Sequence, residues 1–230
     1  MKLTILSGGA AQGLVGALAA AFKAQSGCEI DGTFGAVGAM RDKLLSGTAA
    51  DLLILTRALI DELGVQGHVV AGSATDIGTV LTPDPQRSGE PSPDVGNAAG
   101  LRAALLAADA IYFPDPKLAT AGIHFAKVIE RLGITADVAS RIKTYPNGAT
   151  AMRELAAARG ERHIGCTQVT EILSTPGAQL VAPLPKEFEL ATVYTAGVCS
   201  RAALPDQARA LAALLAGDAA RAARQLAGFI

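Results

Sequence analysis

Short apolar runs alternate with apolar stripes at helical spacing along almost the whole chain. Residues 3–6 form a β-type run; the small residues Ser7-Gly8-Gly9-Ala10-Ala11-Gln12-Gly13 follow, and then an alanine-rich helix over 14–25. Residues 28–34 alternate as a second strand, and Gly35-Ala36-Val37-Gly38-Ala39-Met40 enters a helix that carries Met40, Leu44 and Leu45. Residues 51–55 read as a buried strand ending at Thr56-Arg57, with a helix over 58–64 and a further strand at 76–81. The stretch 82–100 is rich in Pro, Gly, Ser and Asp and predicts a crossover loop between domains.

The second half repeats the alternation. A helix over 101–108 leads to the apolar strand 110–113, which Pro114-Asp115-Pro116 stops, because each proline removes an amide donor and restricts its predecessor. Thr120 is placed to cap a helix whose stripe is Ile123, Phe125, Ala126, Ile129 and Leu132. A short helix over 134–141 and a strand over 142–145 come next. Pro146-Asn147-Gly148-Ala149-Thr150 then opens the helix 151–159, with Asn147 either capping it or bonding a ligand. Residues 163–168 read as a strand ending in the polar triplet Cys166-Thr167-Gln168, with a helix from 169. Strands at 179–183 and 191–198 precede helices over 205–216 and 218–227, whose Arg221 and Arg224 are expected on a solvated face. The fold class is therefore α/β, divided into 1–81 plus 195–230 and an inserted 82–194.

One local motif recurs: a strand opening through small residues onto a helix start. Free amides and the helix dipole favour an anion there. Ser7 offers a hydroxyl, Gly8 and Gly9 let backbone approach a ligand closely, and Ala36-Val37 and Ala121-Gly122 repeat the arrangement. Lys117 and His124 add positive charge or a titratable group beside the last of these. Arg57, at a strand's carboxyl end, is placed to take a carboxylate bidentately or to be salt-bridged within the protein. Cys166 is a candidate nucleophile or a buried structural thiol. The glycines follow neither the dinucleotide pattern nor a P-loop.

Composition narrows the partners. Half of the 230 residues are apolar, and 20 Lys and Arg stand against 21 Asp and Glu, a formal charge of -1 without a basic run, which argues against nucleic acid. The positive mean hydropathy comes from alanine; apolar patches break well before the roughly 20 residues that cross a bilayer. Three cysteines without metal-like spacing suggest reduced thiols, and no metal or cofactor is implied. Residues 1–6 run straight into the first strand and are too short for a signal peptide, so the expected place is the cytoplasm, or the periplasm had a leader been removed.

The ordered set Leu6-Ser7-Gly8-Gly9-Ala10, Thr33-Phe34-Gly35-Ala36-Val37-Gly38, Ala50-Asp51-Leu52-Leu53-Ile54 and Asp115-Pro116 followed by Ala121-Gly122 resembles the molybdate-binding family of periplasmic solute-binding proteins. That resemblance implies the two-lobed type II fold with a ligand cleft between lobes, the ligand held by backbone amides and hydroxyls at helix starts. Where that family typically has a serine in the second loop, this chain has Ala36-Val37, which removes a partner for a tetrahedral oxyanion. Arg57, Lys117 and His124 point to an organic carboxylate instead. The same fold family includes a bacterial aconitate isomerase. The resemblance thus implies a cytoplasmic isomerase of a small unsaturated di- or tricarboxylic acid, working by double-bond migration with His124 as base or by cis–trans isomerisation through Cys166. In that reading Arg57 and Lys117 bind carboxylates, while Asn147, Thr167 and Gln168 line the site. The alternatives are the substrate-binding protein of an ABC importer for a small anion and a cytoplasmic ligand sensor.

Overall fold

The computed structural model of the chain describes residues 1–89, 93–160 and 162–230, and of Asp84 and Arg87 the backbone alone. Its first elements are β1 (Lys2–Gly8), α1 (Gln12–Ser26), β2 (Glu29–Gly35), α2 (Val37–Leu45), β3 (Leu52–Thr56), α3 (Arg57–Val65), β4 (Thr75–Leu81) and β5 (Pro83–Arg87). There follow α4 (Ala98–Ala107), β6 (Ala110–Pro114), α5 (Thr120–Arg131), α6 (Thr135–Val138), β7 (Ile142–Tyr145), α7 (Gly148–Ala157), β8 (His163–Gly165) and α8 (Val169–Leu173). The chain ends with β9 (Ala178–Pro183), β10 (Ala191–Val198), α9 (Pro205–Ala216) and α10 (Arg221–Leu226). It divides into two compact units, Met1–Val80 with Thr192–Ile230, and Leu81–Ala191. The divisions fall inside β4 and β10, slightly earlier than the positions after residues 81 and 194 that the sequence suggests.

The first unit holds a five-stranded sheet in the order β2-β1-β3-β10-β4. β1 pairs in parallel with β2 and β3, and β10 pairs antiparallel with β3. β3 is buried on both faces, as expected of an apolar run inside a parallel sheet. α1 ends at Gly27, whose left-handed φ of 69° lets its N–H bond the Lys23 carbonyl at 2.9 Å. Asp51, quoted above among the resemblance motifs, is a structural knot. Its buried carboxylate accepts from the amides of Thr4 and Leu204, both at 2.9 Å, tying β1 and the entry to α9 to the start of β3.

The second unit has the sheet order β7-β6-β8-β5-β9. β6 is parallel to β7 and β8, while β5 is antiparallel to β8 and β9. The two-residue period of β6 sorts its side chains. Ile111 and Phe113 join the cluster built on Leu101, Leu105, Phe125, Val128 and Ile129, whereas Ala110 and Tyr112 join Ala151, Met152, Leu155 and Ile172 on the other face. Phe113 and Phe125 meet edge to face, ring centroids 5.4 Å apart.

Four expectations are corrected. The stretch 82–100 was expected as loop, yet it contains β5 and the first turn of α4; its residues 90–92 lie outside the described residues. Pro83 and Pro85 hid the strand from a hydrophobicity reading. The ladder with β9 accommodates them through a register shift between Asp84 and Pro85. Thr120 is not the cap of α5: Ala119 holds that position without a side-chain bond, because Asp115 has already organised the turn. Its Oδ1 accepts from the amides of Lys117 at 2.7 Å and Leu118 at 3.0 Å. Arg224 is not merely solvated, since its Nη1 donates to the carbonyls of Leu215 and Gly217 at the end of α9. The helix expected over 218–227 opens as a 3-10 turn, Asp218–Ala220, before α10. Among the described residues no helix is long and apolar enough to cross a membrane.

Candidate functional site

In the first unit, the parallel strands β2, β1 and β3 deliver their carboxyl ends to one sheet edge. Gly8 and Gly35 are in register, as are Ser7 and Ile54, so the turns into the 3-10 segment Gly9–Ala11, into α2 and into α3 stand side by side. Two of these helix starts have no side-chain cap. Gly8 precedes the 3-10 turn and Ala36 precedes α2, both without a capping bond, so their first-turn amides keep the partial positive charge of a helix beginning. Only α3 is capped, by Thr56 Oγ1 accepting from the Leu59 amide at 3.4 Å. Gly8 is required here: an added Cβ would lie 2.8 Å from Val37 Cγ1 and 2.9 Å from Tyr194 Cε1. Those contacts bring the Gly8-Gly9 turn, the Ala36-Val37 turn and Tyr194 together, and Tyr194 is a residue that the sequence reading did not single out. Ser7 is buried, with its hydroxyl donating to the Gly8 carbonyl at 2.9 Å.

Arg57 lies at this same edge, but its guanidinium is engaged. Nε bonds both carboxylate oxygens of Asp61, at 2.9 and 3.0 Å, and Nη1 bonds those of Asp76 at 3.1 to 3.2 Å. These bonds hold its pKa above the usual arginine value. The salt-bridged alternative of the sequence reading is the arrangement found. With the side chain half-exposed, the pairs add little stability, and a ligand carboxylate would meet a guanidinium already paired with two aspartates through Nε and Nη1.

The second unit presents an equivalent edge, where β7, β6 and β8 end at Tyr145, Pro114 and Gly165. α5 begins without a side-chain cap. Gly122 permits its first turn to rest on the β6 exit, since a Cβ there would overlap the carbonyl oxygens of Pro114 and Asp115. Lys117 is exposed next to this turn. The start of α7 is filled by the protein itself. Asn147 Oδ1 accepts from the Thr150 amide at 2.8 Å, and the carboxylate of Glu171 accepts from the amides of Gly148, Ala149 and Gln168. Thr167 Oγ1 adds a 2.5 Å bond to Glu171, and a Cβ at residue 148 would collide with both side chains. Burial pushes the Glu171 pKa up against these hydrogen bonds, which pull it down. Asn147 thus takes the capping role of its two expected ones, and Thr167, expected toward a ligand, bonds Glu171. The sequence offered no sign of Glu171, an acidic residue in an ordinary helix register.

His124 and Cys166 are separated by their surroundings. His124 is half-buried, and its Nε2 lies 2.6 Å from the Phe188 carbonyl. A carbonyl only accepts, so Nε2 carries the hydrogen, and in the neutral ring the lone pair is then on Nδ1. Arg131, on the same helix face, donates to the Glu187 carbonyl at 3.2 Å and stands over the Phe188 ring. Cys166 has 0% of its surface exposed and packs in the apolar cluster with Ile111, Phe113 and Leu184. Such burial favours the structural of the two roles that the sequence reading left open for this thiol. Cys28 and Cys199 are buried as well, and burial with Asp51 nearby pushes Cys199 to about 12. Among the described residues no group of three or more His, Cys, Asp or Glu converges to hold a metal ion.

Residues 3–230 match the family model described as bacterial extracellular solute-binding protein. An aconitate isomerase from a Pseudomonas species is 27% identical over 96% of this chain and 84% of its own length. The periplasmic molybdate-binding protein of Azotobacter vinelandii superposes with a TM-score of 0.82 at 17% identity, covering 99% of this chain and 98% of that one. The sulfate-binding protein of Mycobacterium tuberculosis gives 0.78 at 16% identity, covering 100% and 86%. These likenesses establish the fold as that of the type II periplasmic binding proteins.

Proposed function

We propose, from the premise that this chain belongs to the bacterial extracellular solute-binding protein family, that it is an isomerase of a small unsaturated di- or tricarboxylic acid, moving a double bond as an aconitate isomerase does. The uncapped starts at Gly8-Gly9, Ala36-Val37 and Ala121-Gly122 support binding of an anion. The step from binding to isomerisation is carried by one observation, the likeness to a Pseudomonas aconitate isomerase along nearly the full chain.

The chemistry needs a base beside an acidic C–H and donors for the charge that develops. The base removes a proton α to one carboxylate, and the electron pair spreads over the allylic carbons and that carboxylate. The same proton is then returned at the far carbon, shifting the double bond with no net change in composition. His124 is the proposed base. Its Nε2–H is fixed on the Phe188 carbonyl, which leaves Nδ1 as the acceptor. Helix-start amides would meet the enolate-like charge. Lys117 supplies a mobile countercharge at the α5 turn. Cis–trans isomerisation by thiolate addition is not retained, because Cys166 is enclosed.

Proton NMR of cis- and trans-aconitate incubated with the purified protein tests this reading. Interconversion is expected, and His124→Ala should lower kcat by about 100-fold or more with a small change in KM. Failure to interconvert either isomer would count decisively against catalysis. The second reading, a substrate-binding protein of an importer, draws on the same enclosure of Cys166 and the hydrogen-bonded His124. It predicts saturable binding of a small anion without turnover, from a chain found outside the cytoplasm on cell fractionation.

A further inference from the structure

One buried carboxamide in the second unit has neither of its polar atoms satisfied by the protein. Gln168 exposes 3% of its surface, and both Nε2 and Oε1 are without a hydrogen bond among the described residues. Its backbone is held from both sides. The carbonyl accepts from the amides of Glu171 at 3.0 Å and Ile172 at 3.4 Å, while the N–H donates to the Glu171 carboxylate. The side chain occupies the position before α8 but makes no capping bond there. Burying a polar group unbonded is costly, and folded chains keep very few such groups. An anchored backbone with an unmet carboxamide is the arrangement of a group whose partner comes from outside the fold.

Its place agrees with that. β8 neighbours β6, so Gln168 leaves the sheet at the edge where the uncapped α5 begins, whereas Glu171 already occupies the start of α7. A carboxamide presents donors and an acceptor in one plane. It is complemented by a group that also accepts and donates, such as a carboxyl that keeps its proton or a carboxylate beside a hydroxyl. A fully ionised tetrahedral oxyanion has acceptors only, and would set negative charge against Oε1.

We infer that Gln168 is the specificity-determining residue of the second unit, and that the ligand is a small organic acid carrying a hydrogen-bond donor next to its carboxylates. The inference rests on the site reading above for its location, and it is independent of whether isomerisation occurs.

Titration calorimetry on the intact chain tests it with three probes: citrate, tricarballylate (the same three carboxylates without the hydroxyl) and sulfate. The wild-type protein is expected to bind citrate at least tenfold more tightly than tricarballylate or sulfate. Gln168→Met, which keeps the length and removes both polar atoms, is expected to lose at least tenfold for citrate and little for sulfate. Its Tm without ligand should equal or exceed that of the wild type, since two unbonded buried atoms are gone. A lower Tm with unchanged affinities would make the carboxamide structural and overturn the proposal. Failure of citrate to bind the wild-type protein, or equal affinity for citrate and sulfate, would overturn it as well. Should Gln168→Met not fold, Gln168→Glu serves: citrate affinity falls at neutral pH and recovers on acidification, when the new carboxyl again donates and accepts; unchanged affinity at both pH values sinks the idea. Binding that depends on Gln168 without aconitate turnover removes the isomerase reading alone. Turnover of aconitate with KM unchanged in Gln168→Met removes this inference alone.

Discussion

Glu171 shows how much a single buried carboxylate can organise. It gathers two amides of α7, the amide of Gln168 and the hydroxyl of Thr167. Desolvation nevertheless raises its pKa, so the native state holds the proton more tightly than the unfolded chain does. The stabilising contribution of protonation is fully present below the ordinary carboxyl range, and is lost as pH rises through the raised native value. Thermal unfolding of the wild type and Glu171→Gln across this range should therefore show the wild type's relative stability highest in acid and declining to a plateau. A difference that grows with pH would mean that the four donors outweigh burial. The Asn147 cap was legible from the sequence, because an Asn three residues before an amide it can accept from is a local signal. Glu171 was not, since its partners Gly148 and Ala149 come from a different strand-to-helix turn. Arg57 was half legible: its position at a strand end follows from the pattern, but its capture by Asp76 requires the fold.

At the level of elements, the parallel strand, turn and helix units could be read off the chain, as each is built from contiguous sequence. β1 with α1, β3 with α3 and β6 with α5 appear where the apolar periods place them. β5 could not be read, since two prolines and polar neighbours give no period, and its existence depends on a ladder to β9 formed far along the chain. Helix ends show the same divide. Arg141 donates from Nη1 to the carbonyls of Leu106 and Ala108, at 2.8 and 2.6 Å, and so closes the end of α4 from another element. Arg141→Met keeps the aliphatic stem and removes these bonds. It is expected to lower unfolding free energy by about 1–2 kcal/mol in urea titrations with an unchanged m-value. Arg224 closes α9 in the same manner.

For the molecule as a whole, the alternation of strands and helices, the neutral charge balance and the recurrent small-residue turns were enough to reach the fold family. The ligand's identity was beyond them, because ligand chemistry resides in a few side chains such as Gln168 whose burial no pattern reports. The strand order of the first unit carries a last consequence. β10 lies between β3 and β4, although more than a hundred residues separate it from either. During synthesis, a ribosome releases nearly all of Leu81–Ala191 before β10 is complete. The inserted unit can then mature on the nascent chain while β3 and β4 still await their common neighbour. Limited proteolysis of stalled chains should find the insert resistant first, with the amino-terminal segment acquiring protection only once the carboxyl-terminal residues have left the exit tunnel. That outcome would set folding order against birth order for the two halves of this polypeptide.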